Sequence, residues 1–161
     1  MPEAFPHLTC MKLIADRMLG SLAKKLRLLG LDVLYPSELE DRALISLAIK
    51  EGRVLLTRDK ELYRSAVREG GHALLITSVS RMKQIQSVIE GLKIKDLTPF
   101  TRCSLCNTPI YPIEKAVVRE LVPETVYFSK DNFWWCPKCR KAYWEGSHWQ
   151  GIERLIEHLR I

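Results

Sequence analysis

MKLIADRMLGSLAKKLRLLGLDVLY, residues 11–35, is the stretch that decides the fold. It opens on a short apolar run, MKLIA (11–15), which reads as a buried strand. LGSLAKKLRLLG (19–30) then places Leu19, Leu22, Ala23, Leu26 and Leu29 at helical spacing, with Lys24, Lys25 and Arg27 off the stripe and Gly30 as the stop. DVLY (32–35) is a second apolar run. A strand, an amphipathic helix and a strand in that order describe a crossover, and crossovers join parallel strands.

Working outward, the alternation repeats. A helix is expected over about 41–51, ending at Gly52, followed by a strand at RVLLT (53–57). KELYRSAVREG (60–70) is helical, HALLI (72–76) is a fourth strand and SRMKQIQSVIEGL (80–92) is a further helix. Around Pro99 prolines, aromatics and paired cysteines replace this rhythm, so an α/β unit over 11–98 and a smaller unit over 99–161 are expected. The tail GIERLIEHL (151–159) spaces Ile152, Leu155, Ile156 and Leu159 as a helix that docks on one of the two.

A chain of 161 residues, 47% hydrophobic and 27% charged, has the composition of a globular protein able to bury a core. No run approaches the roughly 18 apolar residues of a membrane span, and MPEAFPHLTC (1–10) lacks the basic and apolar regions of a secretory signal. A cytoplasmic protein is therefore expected. Five cysteines without an export signal argue against a disulfide framework and for metal binding. The net charge of +6 favours an anionic partner such as nucleic acid.

Cys103-Ser-Leu-Cys106 and Cys136-Pro-Lys-Cys139 are two C-x-x-C knuckles, each able to present two thiolates from one tight turn to a tetrahedral zinc ion. Four thiolates close the coordination sphere, which makes the zinc structural and leaves His148 and His158 unneeded as ligands. A redox pair or an iron–sulfur cluster are the rival readings, and the small size of the segment favours a metal staple. The 29 residues between the knuckles (107–135) exceed the usual separation of about 15–20, so a longer hairpin is expected, with AVVREL (116–121) and ETVYF (124–128) as its strands. Cys10 stands alone and reads as a small side chain near the first strand.

Asp16 directly follows the first strand, Asp41 opens the helix after the second, and Asp59 lies two residues past VLLT. In a parallel sheet all three belong at the carboxyl edge, where open α/β folds bind ligands, and oxygen ligands suit magnesium or manganese. Each also precedes a helix, where aspartate serves as an N-cap, and the two roles are compatible. Glu38, Glu40 and Glu61 are nearby candidates for a fourth acid. Arg17, Lys24, Arg58 and Lys60 sit close in sequence to the acids and are candidates to receive a phosphate that bare carboxylates would repel. Trp134, Trp135, Trp144 and Trp149 all fall in or beside the cysteine unit; packing is the favoured use, with Trp149 the best placed to stack on an unpaired base.

The segments IADRMLGSLAKKLRLLGLDVLY, EDRALISLA and GRVLLTRDKEL, followed by the cysteine unit ending in CPKCRKAYWEGSHW, resemble the PIN-like ribonuclease family named for the C-terminal domain of the mut-seven exonuclease. The resemblance runs from Met11 to about Leu159. It implies a PIN-like three-layer α/β/α sandwich with a parallel sheet, fused to a zinc ribbon and acting as a metal-dependent ribonuclease. By position, the D-R-x-L-G aspartate falls on Asp16, the helix-opening acid on Asp41 and the T-R-D acid on Asp59. The fourth acid of a typical site has no clear counterpart, and Glu61 is the nearest. Two rivals remain beside the nuclease: a non-catalytic RNA-binding module, and an adaptor that uses the ribbon to dock a protein. The absence of G-x-G-x-x-G and P-loop patterns argues against a nucleotide-binding role.

Overall fold

The computed structural model describes residues 11–159; Cys10 and the side chain of His148 lie outside that description. The four apolar runs are strands β1 (Lys12–Ala15), β2 (Asp32–Leu34), β3 (Val54–Thr57) and β4 (His72–Leu75). All pair in parallel, in the order β2-β1-β3-β4. Between and after them run α1 (Gly20–Leu28), α2 (Asp41–Glu51), α3 (Lys60–Arg68) and α4 (Arg81–Gly91). Gly52 ends α2 in the left-handed conformation that a Cβ disfavours, φ 63°, and its N–H closes onto the carbonyls of Ala48 and Ile49.

Strand alternation sorts the core into two layers. Leu13, Ala15, Val54 and Leu56 pack with α1 and α4, whereas Ile14 and Leu55 pack with Leu44, Ile45 and Ala48 of α2 and Leu62 and Ala66 of α3. The result is the expected α/β/α sandwich. Right-handed crossovers explain which helix covers which face. The chain leaves β1 toward one sheet edge through α1 and leaves β3 toward the other through α3. The carboxyl ends of these neighbouring strands therefore flank the topological switch point of the sheet, where ligands of open α/β folds bind.

The cysteine unit is a three-stranded antiparallel sheet of β5 (Tyr111–Ile113), β6 (Phe133–Cys136) and β7 (Lys141–Tyr143), in the order β5-β6-β7. The expected strands AVVREL and ETVYF do not form. Lys115–Val118 is a 3-10 turn and Glu124–Ser129 is a short helix, α5. Packing accompanies the change: Val118, Val122 and Val126 reach the same apolar cluster with Phe133 from a 3-10 turn, the bend after it and α5. Their β-branched side chains suggest strand, but tertiary packing overrides that preference. Pro112 is tolerated because β5 is an edge strand.

The last helix, α6 (Ser147–Leu159), lies on α4 and buries Ile152 in the core shared with α1 and α4. The tail thus docks on the parallel-sheet layer. Among the described residues, no helix is long and apolar enough to cross a membrane.

Candidate functional site

At the carboxyl end of β1, the backbone N–H of Asp16 continues the ladder by donating to the Leu56 carbonyl of β3, 3.0 Å away. This places Asp16 beside Thr57, both at the mouth of the switch point. Both are buried. The Thr57 hydroxyl donates to Asp16 Oδ2 at 3.0 Å and accepts the Asp59 backbone N–H at 3.0 Å, so one side chain ties the two acidic positions together. Asp16 Oδ1 accepts from Arg17 N at 2.6 Å, capping a 3-10 turn over Arg17–Leu19. Asp59 is the N-cap of α3, its Oδ1 accepting from the backbones of Glu61 and Leu62 at 2.8 and 3.1 Å. The cap reading and the edge position therefore hold together for Asp16 and Asp59. Asp41 differs: Glu40 occupies the cap position of α2 without a side-chain cap bond, and Asp41 is exposed in the first turn.

None of the three aspartates makes an ion pair among the described residues, although Arg17, Arg58 and Lys60 adjoin them in sequence. For Asp16 this matters, because a buried carboxylate needs a compensating charge or full hydrogen bonding. The acids are not gathered as tightly as the sulfurs: among the described residues, only the cysteines bring three or more ligand atoms within 4.8 Å of one another. Glu61 is exposed and faces Arg64 at 3.9 Å along α3, while Glu38 and Glu40 are exposed. Arg17, Lys24 and Lys60 are exposed and Arg58 is half-buried.

Thr57 is the residue that sequence reasoning missed. The T-R-D tripeptide was the available signal, since a hydroxyl two residues before a helix-capping aspartate can accept that residue's N–H. Tyr35 was missed as well. Its hydroxyl donates to the Arg17 carbonyl at 2.7 Å and lies so close to Gly20 that a Cβ there would meet the hydroxyl oxygen at 2.7 Å. The glycine of D-R-M-L-G thus admits the tyrosine that holds the turn after Asp16.

The four cysteine sulfurs lie within 4.8 Å of one another, two buried and two half-buried. A tetrahedron of metal–sulfur bonds of about 2.3 Å has edges of about 3.8 Å, so the cluster is of the right size to close on an ion. The two knuckles are built alike. The residue after each, Asn107 and Arg140, takes a left-handed backbone, φ 66° and 53°. Without a cation the sulfurs compete for charge. Burial opposes ionisation of Cys106, but hydrogen bonds from Thr108, Cys139 and Cys136 bring it down to about 6, whereas burial and the neighbouring sulfurs of Cys106 and Cys103 push Cys139 up to about 12. A bound dication removes that conflict.

The first knuckle is bolted to the parallel sheet. Arg27 of α1 donates to the carbonyls of Val33, Ser104 and Leu105 at 2.8, 3.0 and 3.1 Å. Asn107 covers the free edge of β2, accepting from Val33 N at 3.1 Å and donating to Asp32 at 2.8 Å. Asp32 in turn takes Arg53 at 2.8 Å. Burial works against the Asp32 carboxylate, but Arg53 and Asn107 hold it below the usual range. This contact meets the sheet near its amino edge, about 13 Å, or four strand residues, from the acids.

The tryptophans are all half-buried. Packing, the favoured use, holds for Trp149 too: it lies 4.8 Å from Phe100, which stacks on Trp134 at 4.3 Å. Among the described residues, the exposed phenylalanine and tyrosine rings are Tyr111 and Phe128.

The family model described as Mut7-C RNAse domain matches residues 11–156. Over 123 residues, or 73% of its length, the chain is 28% identical to the human protein named "Exonuclease mut-7 homolog", and it spans 14% of that protein.

Proposed function

The chain belongs to the Mut7-C RNAse domain family, and from that membership we propose that it is a metal-dependent ribonuclease hydrolysing RNA phosphodiester bonds at the carboxyl edge of its parallel sheet. The observation that carries the proposal is Asp16, a buried carboxylate at the switch point that is tied through Thr57 to Asp59 and has no ion-pair partner among the described residues. A cation supplies the missing compensation.

In this reading Asp16 and Asp59 are the primary oxygen ligands of magnesium or manganese, and Asp41 is either a third ligand or the group that orients water. Held by these residues, such a cation would supply the chemistry a phosphodiester needs: a more acidic attacking water, a polarised phosphoryl oxygen and a stabilised leaving alkoxide. Thr57 and the cap bonds fix the two carboxylates beforehand. Arg17, Lys24, Arg58 and Lys60 offset the repulsion between acids and phosphate, and Glu61 is the candidate fourth acid. Cys103, Cys106, Cys136 and Cys139 hold a structural zinc ion, since four thiolates leave no coordination site for substrate. The nuclease unit is residues 11–98 and the ribbon with its terminal helix is 99–161; RNA is the partner and the cytoplasm the place of action.

The test is an assay of labelled single-stranded and structured RNAs with and without magnesium or manganese, beside an Asp16→Asn, Asp59→Asn variant. Metal-dependent cleavage lost in the variant supports the nuclease. RNA binding without cleavage by either protein replaces it with the non-catalytic RNA-binding module.

One observation favours a second role for the ribbon. Val117, Leu121 and Phe128 are exposed on the segment inserted between the knuckles, as in a protein-docking adaptor. Such docking predicts little salt-dependent affinity for RNA.

A further inference from the structure

Three arginines have buried nitrogens at the sheet, and two are fully explained by what they touch. Arg27 gives its Nε and Nη1 to three carbonyls. Arg53 gives Nε to Glu51 at 2.6 Å and Nη1 to the Leu13 carbonyl and Asp32 at 3.1 and 2.8 Å. Arg58 is the exception. Its Nε is shielded from solvent with no hydrogen-bond partner, the one such buried side-chain atom among the described residues. It also makes no ion pair there, although it lies between Thr57 and Asp59 in sequence.

A buried guanidinium nitrogen without an acceptor is destabilising in the free protein, and such orphans are rare in folded chains. Its location gives the orphan a meaning. Arg58 follows β3 at the switch point, one residue beyond the hydroxyl that joins Asp16 to Asp59. There an arriving phosphodiester supplies what the side chain lacks: a doubly accepting, negatively charged group that matches the planar fork of arginine. Arg17, Lys24 and Lys60, by contrast, are exposed and solvated.

We propose that Arg58 is the clamp for the phosphate that enters the acidic edge, a binding residue held unpaired in the free protein and satisfied by a non-bridging oxygen of the RNA backbone. The proposal rests on the ribonuclease reading above and deepens it by separating one cation from the four considered. Side-chain rearrangement accompanies binding, because Nε is shielded beforehand. No bond is made or broken by Arg58; it positions the phosphate beside the carboxylates.

The test compares Arg58→Met and Arg58→Lys in the zinc-loaded full chain carrying Asp16→Asn, so that RNA stays uncut. A labelled single-stranded oligonucleotide is the probe, with affinity followed by fluorescence anisotropy across a salt series and the melting temperature measured on the same samples. Arg58→Met is expected to weaken binding by about tenfold or more, to lower the salt slope by about 0.7, the share of one phosphate contact on a single strand, and to leave the melting temperature unchanged or raised. Arg58→Lys is expected to restore part of the salt slope and little of the affinity, since a point charge cannot replace the fork. Unchanged affinity in Arg58→Met, with the parent binding RNA, overturns the clamp and leaves the nuclease reading standing. A melting temperature that falls several degrees assigns Arg58 to the fold and also overturns it. If the parent binds no RNA, the clamp and the nuclease reading fall together.

Discussion

In the proposed reading the sulfur cluster and the acidic edge are two answers to holding a cation, and they differ in how much the fold completes in advance. The four sulfurs are brought within 4.8 Å of one another by two C-x-x-C turns, and a bound dication would relieve their competition for protons. The aspartates are spread along the ends of β1, α2 and α3, with Asp16 and Asp59 tied by hydroxyl and cap bonds and Asp41 apart from them, and they are not closed around a point. A closed sphere suits structure; an open, incompletely compensated one leaves room for substrate. The contrast extends to arginine, which bolts the knuckle to β2 through Arg27 and stands unpaired at the acidic edge as Arg58.

The largest expected effect comes from breaking the closed site. Replacing Cys103 and Cys106 by serine is expected to release the metal and lower stability by more than about 5 kcal/mol, given the binding energy of thiolate zinc sites. Because the knuckle carries Asn107 and the carbonyls that hold Arg27, amide exchange should accelerate at Val33 in β2 as well as in the ribbon. Loss of protection confined to the ribbon would uncouple the two regions.

Breaking the open site should do the reverse. Asp16→Asn is expected to reduce cleavage on the order of 10³-fold, which is several kcal/mol of transition-state stabilisation, while thermal melting stays within a few degrees. A parallel fall in stability would make Asp16 a structural residue. Between these extremes, Arg27→Met removes the donor from two buried carbonyls and one part-buried one and is expected to cost about 3 kcal/mol in chemical denaturation without a matching loss of metal from the ribbon. Thr57→Val removes the hydroxyl between the two acids, so about 1–2 kcal/mol of stability and about tenfold in cleavage should be lost together. Loss of one without the other would show that the hydroxyl serves only that side.

The smallest effect concerns acid. The folded Asp32 carboxyl titrates below its unfolded value of about 3.9, so its contribution is complete above that value and is lost as pH falls through the folded one. Melting temperatures taken downward from about pH 5 should therefore drop more steeply in the wild type than in Asp32→Asn. Equal slopes would remove Asp32 from the junction.

What was legible in the sequence follows the range of the interactions. Short apolar runs and the Gly52 stop are local, and α2 runs from Asp41 to Glu51 as its spacing predicts. The aspartates at strand ends are legible for the same reason, since parallel connectivity alone sends them to one edge. The hydroxyl of Thr57 acts across 41 residues on Asp16, and Asn107 acts across 74 on Val33, distances over which no periodicity speaks. The ribbon misleads locally: AVVREL has strand composition, but Val118 and Val122 enter their core from a 3-10 turn and the bend after it. Which ring Trp149 packs on was not legible, because Phe100 meets it from a distant part of the sequence.

The central claim is that one chain keeps a sulfur site for structure and a separate oxygen site for chemistry. Manganese binding to the zinc-loaded protein, followed by electron paramagnetic resonance in wild type and in Asp16→Asn, Asp59→Asn, tests it most directly. The expected result is manganese binding by the wild type, lost in the variant, with zinc content equal in both. Equal manganese binding in the two proteins, or none in either, would contradict it.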